Sequence, residues 1–154
     1  QHLARYLKGT ADKGVICKPD SSKSLEVWVD ADFVGNWNKE TAQHDPSTAK
    51  SRSGYVITYA GCPIIWASKL QTQVALSTTE AGYIALSQSL QEAIPVMQLL
   101  EELKERNISK YDNNPIVRCK AFEDNSGALE LARAPKMRPR TKHLNIITAC
   151  ISIE

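Results

Sequence analysis

Between Leu25 and Asp30 the chain alternates, with Leu25, Val27 and Val29 on one face and Trp28 and Asp30 on the other, the two-residue period of a strand. Two further β runs, Gly54 to Tyr59 and Pro63 to Ser68, are joined by Ala60-Gly61-Cys62, where glycine is available for positive φ. Three consecutive strands with such connections predict an antiparallel sheet. From Ser77 to about Arg106 the period changes. Ala81, Ile84, Ala85, Leu90, Ile94, Met97, Leu100 and Leu103 recur at spacings of three and four, which predicts a long helix that Pro95 should kink or split. Ile116 to Phe122, interrupted only by Arg118 and Lys120, suits a buried or half-buried strand. Ser126 to Arg133 reads as a short helix, capped by Asp124 or Asn125 and stopped before Pro135. Three strands, a long helix, a strand and a helix predict an α/β domain in which helices pack on a mixed sheet.

The polar stretches complete this outline. Leu3 to Leu7 reads as the end of a helix, with Lys8-Gly9-Thr10 and Lys13-Gly14 as breakers, so residues 1–20 form a connector and residues 24–154 the domain. Gly35 to Arg52 is a long polar hairpin loop and a candidate substrate contact. A chain of 154 residues suits one core, burying roughly 70% of its unfolded surface. With 42% hydrophobic and 23% charged residues it has the composition of an ordinary globular protein. A net charge of +2 does not announce a nucleic-acid partner; only the distribution of charge can. Cys17, Cys62, Cys119 and Cys150 are far apart and form no CxxC pair, which argues against zinc and a disulfide scaffold and for a reducing compartment. No apolar run approaches the roughly 20 residues that span a bilayer, so no membrane partner is expected. Both ends read as cuts through something longer.

Three acids stand where elements begin or end: Asp30 at the close of the first strand, Glu80 in the first turn of the long helix, and Asp124 after the fourth strand. Carboxylates brought together in this way suit hard divalent cations, and a pair of such ions supports phosphodiester hydrolysis. Taken singly, each has a plainer use, as a turn or cap residue or as a partner of the helix macrodipole. Asp32 shares the face of Asp30 and reads as a solvated acid at the loop edge, with an auxiliary role beside Asp30 as the alternative, while Glu123 is expected to point to the opposite side from Asp124 and is left out of the site.

The motifs around these acids resemble the ribonuclease H domain of copia-type LTR retrotransposon Pol polyproteins. They are Arg5-Tyr6-Leu7-Lys8-Gly9-Thr10, Val29-Asp30-Ala31-Asp32-Phe33-Val34-Gly35, Ser51-Arg52-Ser53-Gly54-Tyr55-Val56, Ile65-Trp66-Ala67-Ser68-Lys69-Leu70-Gln71, Val74 to Tyr83 with Ser77-Thr78-Thr79-Glu80, Glu123-Asp124-Asn125-Ser126-Gly127-Ala128, and Arg140-Thr141-Lys142-His143. They run in collinear order over nearly the whole chain. The resemblance implies a ribonuclease H-like mixed five-stranded sheet, three strands antiparallel and the later ones added in parallel, flanked by helices and truncated at its C-terminal end. It implies endonucleolytic hydrolysis of the RNA strand of RNA/DNA hybrids with two Mg²⁺ or Mn²⁺ ions held by Asp30, Glu80 and Asp124. It also implies that residues 1–20 are the end of the reverse transcriptase connection. The neighbouring reverse transcriptase domain is then a partner, and the location is cytoplasmic, in a virus-like particle, with the nucleus as the alternative.

Two departures bear on activity. Where the family carries an aspartate as a fourth catalytic acid, this chain has Asn145, whose amide can coordinate a cation but adds no negative charge. Beyond it, Ile146 to Glu154 does not follow the family pattern. The competing reading is therefore a catalytically degenerate remnant that only binds nucleic acid or is structural.

Expected substrate contacts lie beside the acids. Arg133, Lys136, Arg138, Arg140 and Lys142 place five basic side chains in ten residues, suited to phosphates or to a solvated basic loop. Ser77, Thr78, Thr79 and Asn125 can read 2′-hydroxyls or cap helices, and His143 can assist near the ions. Trp28, Trp66, Tyr55 and Tyr83 are expected to pack in the core or on the sheet, and Trp37 to meet a partner. An integrase-like site would carry its glutamate last, whereas Glu80 lies between the aspartates. The Asp30-Ala31-Asp32 motif alone is weak support for a sugar-nucleotide transferase.

Overall fold

The computed structural model describes residues 2–40, 44–108, 118–133 and 151–153. Within them lie helices α1 (His2–Gly9), α2 (Thr78–Glu105) and α3 (Ser126–Arg133), and strands β1 (Leu25–Asp32), β2 (Arg52–Tyr59), β3 (Cys62–Leu70), β4 (Cys119–Glu123) and β5 (Ile151–Ile153). They form one five-stranded sheet in the order β3-β2-β1-β4-β5. The pairs β1–β2 and β2–β3 are antiparallel, whereas β4 runs parallel to β1, and β5 parallel to β4. This is the α/β mixed five-stranded sheet that the resemblance implies, three strands antiparallel and the later two added in parallel.

The strand period decides which face is covered. Leu25, Val27 and Val29 of β1, Tyr55 and Ile57 of β2, and Cys119 and Ala121 of β4 are buried together. Onto them α2 lays Ala85, Leu86, Leu90, Ala93, Met97 and Leu100, and α3 adds Ala132. The small residues Ala81, Gly82, Ala85, Ser89 and Ala93 on the buried side of α2 let the helix axis approach the sheet closely. Gln71 fixes the entry into this helix. Its buried side-chain amide donates to Ser53 Oγ at 3.0 Å and to the Ala81 carbonyl at 2.9 Å, tying β2 to the first turns of α2.

Pro95 neither splits α2 nor ends it, because the helix runs unbroken from Thr78 to Glu105. Proline removes the bond to the carbonyl four residues back and crowds it, and here both Pro95 and Gln91 lie on the exposed side of the helix. The turn between β2 and β3 has φ of 51° at Ala60 and 75° at Gly61, two positive values in succession as in the two-residue hairpin turn that matches strand twist.

The opposite face of the sheet carries an aromatic row. Trp66, Val56, Trp28 and Phe122 stand in one register row across β3, β2, β1 and β4. Trp28 stacks on Phe122, with ring centroids 4.3 Å apart and planes 16° apart, yet it remains 49% exposed and Trp66 71% exposed. These two tryptophans pack on the sheet surface rather than in the core, while Tyr55 is buried and Tyr83 lies against the core as expected. Trp37 is exposed in its loop. Among the described residues, no helix is long and apolar enough to cross a membrane.

Candidate functional site

The parallel pairing of β1 with β4 makes the site. Val29 is the register partner of Glu123, so Asp30 and Asp124 each stand one residue further along adjacent strands, which are spaced about 4.8 Å apart. Both aspartates are exposed. Two residues more than ninety positions apart in sequence are thus neighbours at one end of the sheet.

The beginning of α2 reaches the same corner. A β-carbon at Gly82 would fall 3.2 Å from Glu123 Oε1, 3.2 Å from Ala128 Cβ and 3.5 Å from Asn125 Cβ, so the first turns of α2 lie against the end of β4 and the start of α3. Glu80 is two residues before that contact. Its backbone N–H donates to Ser77 Oγ at 3.1 Å, and its Oε2 accepts the Leu76 N–H at 2.8 Å. This reciprocal arrangement is a variant of the capping box, reaching one residue further back than usual. The Glu80 carboxylate is therefore turned toward the Leu76 backbone. Among the described residues, no group of three acidic, histidine or cysteine side chains is gathered closely enough to hold a metal ion.

Glu123 is the acid that sequence reasoning left out. It points to the helix side, as parity requires, but it is 6% exposed and sits beside the others. Oε1 accepts the Asn125 N–H at 3.3 Å, and Oε2 is buried with no hydrogen-bond partner. Burial first, and then the charges of Asp124 and Asp30, push its carboxyl up to about 7 against the downward pull of the Asn125 bond. A buried orphan oxygen beside two like charges is the setting that an added cation relieves. The donor set, all carboxylate oxygens, fits hard divalent ions. The one signal in the sequence was the adjacency of Glu123 and Asp124, and only the strand pairing brings Asp30 to them.

The expected nucleic-acid contacts divide. Ser77 caps α2, and Asn125 caps α3 by accepting the Ala128 N–H on Oδ1 at 3.0 Å, so of the two capping candidates the helix uses Asn125 rather than Asp124. Thr78 is exposed at the first helical position of α2. Asp32 is exposed at the end of β1, with its carboxylate folded against Gly35. Arg133 donates its guanidinium to the Ile153 carbonyl and ties α3 to β5. Asn145, Arg138, Arg140, Lys142 and His143, like Lys136, lie outside the described residues.

Comparison with known proteins adds the relatives. The chain is 35% identical over 144 residues to the retrovirus-related Pol polyprotein from transposon TNT 1-94 of Nicotiana tabacum, a match covering 94% of this chain and 9% of the relative. It is 32% identical, again over 144 residues and with the same coverage, to the Pol polyprotein from transposon RE2 of Arabidopsis thaliana. The chain thus spans about a tenth of the length of these two relatives. No family model matches it. Among solved structures, the N-terminal RNase H domain of a Mycobacterium tuberculosis protein, fused to maltose-binding protein, is similar with a TM-score of 0.48 and 14% identity, over 85% of this chain and 81% of that one.

Proposed function

This chain is a homologue of copia-type retrotransposon Pol polyproteins, and on that premise we propose that it is their ribonuclease H part and hydrolyses the RNA strand of RNA/DNA hybrids. The observation that carries the reading is the parallel register of β1 and β4, which sets Asp30 beside Asp124 at the corner entered by the first turn of α2.

Asp30, Glu80 and Asp124 would hold two Mg²⁺ or Mn²⁺ ions, whose chemistry when bound is to activate the attacking water and to stabilise the leaving oxygen. The chain's own residues do the rest. Asp30 and Asp124 are exposed and reach a phosphodiester without rearrangement of the sheet. Glu80 joins them by exchanging its bond to the Leu76 N–H, a side-chain rotation that leaves the Ser77 cap in place. Thr78 offers a hydroxyl to the 2′-hydroxyls that distinguish the RNA strand, and Ser77 and Asn125 flank it at the two helix starts. Arg138, Arg140 and Lys142 supply phosphate contacts, whose strength falls as salt rises. His143 adds a donor beside them. Asn145 contributes an oxygen without charge, so the cations are held less tightly than four acids would hold them.

A second reading, a remnant that binds hybrid without cutting it, draws support from Asn145 and from the engagement of Glu80 in its cap. The test is the rate of cleavage of a labelled hybrid in Mg²⁺ and in Mn²⁺ by this chain and by Asn145→Asp. A measurable rate that rises in the variant supports hydrolysis. Hybrid binding with no cleavage by either protein supports the remnant.

A further inference from the structure

The structure brings together two cysteines that stand 45 positions apart in the sequence. The segment between α1 and β1 is a strap fastened to the β2–β3 hairpin. The Asp20 N–H donates to the Ala60 carbonyl at 2.9 Å, and the Ala60 N–H donates to the Ser24 carbonyl at 3.2 Å. The Asp20 carboxylate accepts both the N–H and the hydroxyl of Ser22, at 2.9 and 2.6 Å, which closes a turn in the strap. Ser24 Oγ donates to the Arg118 carbonyl at 2.7 Å and anchors the far end. Three residues before Asp20, Cys17 joins Val15 in lining a groove with Val56, Pro63 and Trp66. Two residues after Ala60 comes Cys62, next to the groove residue Pro63 and near enough to Cys17 for the two thiols to influence one another.

We propose that Cys17 and Cys62 form a reversible disulfide that locks the strap onto the β2–β3 hairpin. Both are free thiols here, Cys17 exposed and Cys62 partly so, which leaves them open to a small oxidant. The oxidant is a low-molecular-weight disulfide of the glutathione class, RSSR. The Cys17 sulfur attacks one sulfur of RSSR and releases one RSH; the Cys62 sulfur then displaces the second RSH from the mixed disulfide. The net change is two thiols and RSSR giving Cys17–S–S–Cys62 and two RSH, with two electrons passing to RSSR and both thiol protons ending on RSH. Burial, and after it the neighbouring Cys17, hold the Cys62 thiol above its ordinary range, which fits exposed Cys17 as the first attacker. Cys119 is buried in the core and takes no part.

The linkage would close a loop of about 45 residues and restrict the unfolded chain accordingly. It lies at the Leu25 end of β1, whereas Asp30 stands at the other end. Its formation is therefore read by stability and thiol chemistry alone, and it does not depend on the proposed hydrolysis.

The test equilibrates the chain with reduced and oxidised glutathione at a series of ratios, quenches with acid, and maps linked peptides by mass spectrometry alongside thermal melts. The expected result is an intramolecular Cys17–Cys62 peptide pair two mass units lighter than its reduced form, with a Tm about 5 °C or more above that of the reduced chain. Cys17→Ser and Cys62→Ser should each abolish both the linked pair and the rise, while Cys119→Ala keeps the linked pair. Thiols that remain reduced in excess oxidised glutathione overturn the proposal, as do linkages only to Cys150 or between chains.

Discussion

Replacing Glu123 by glutamine weighs the electrostatics of the acidic corner directly. Its carboxyl has an ordinary value of 4.5 and is raised to about 7 in the folded chain, by burial first and then by Asp124 and Asp30, against the Asn125 hydrogen bond. The folded chain therefore holds this proton more tightly than the unfolded chain does. The stabilisation is complete below about pH 4.5 and is lost as pH rises through 7. At about 1.4 kcal/mol for each tenfold change in proton affinity, the full loss is of order 3 kcal/mol. Glu123→Gln keeps the side chain's shape and its acceptor for the Asn125 N–H but has no proton to lose. Urea unfolding of both proteins at pH 5, 6, 7 and 8 should show the variant gaining stability relative to the parent as pH rises, by about 3 kcal/mol at most. Other groups titrate in both proteins and cancel in the difference. Two stability curves that run parallel from pH 5 to 8 would refute the reasoning, because the Glu123 carboxylate would then bear no cost of burial.

Three further outcomes follow from the same contacts. Ser77→Ala removes the acceptor for the Glu80 N–H and should cost about 1 kcal/mol, read as a lower urea midpoint with an unchanged slope. Leu86→Ala, at a position with 0% exposure, should cost about 2–5 kcal/mol, whereas Trp66→Ser on the open face of the sheet should stay within about 0.5 kcal/mol; equal losses would contradict the assignment of the two faces. Mg²⁺ at a hundredfold excess over its Kd should stabilise the fold by about 2.7 kcal/mol and raise Tm by roughly 5–10 °C, and differential scanning calorimetry of Asp30→Asn should show that rise largely gone.

Much of the fold was legible in the sequence because strand and helix periods are local. Leu25, Val27 and Val29 announced the inner face of β1 by alternation, and Ala81, Ala85, Leu90, Met97 and Leu100 announced the inner face of α2 by their spacing. What escaped depends on contacts between distant segments. The resemblance implied that β4 is added in parallel, but nothing near Glu123 reveals that its own carboxylate is buried beside Asp30 and Asp124, and parity alone removed it from the site. Cys17 and Cys62 looked unrelated for the same reason, since the bonds from Asp20 and Ser24 to Ala60 bring them together. Trp28 and Trp66 were expected in the core or on the sheet, and strand pairing decides between the two, because their register row falls on the face that α2 does not cover. Of the two outcomes open to Pro95, a kink or a split, the split does not occur, because α2 runs unbroken from Thr78 to Glu105. Of the uses weighed for Glu80, the structure shows the cap, its carboxylate accepting the Leu76 N–H.

The most direct measurement is Mg²⁺-dependent cleavage of a hybrid labelled separately on its RNA and DNA strands, by this chain and by Asp30→Asn, with duplex DNA as the control. The account predicts cuts in the RNA strand alone, none in duplex DNA, and loss of cutting in Asp30→Asn. Cutting that persists in Asp30→Asn, or that falls equally on both strands, contradicts it.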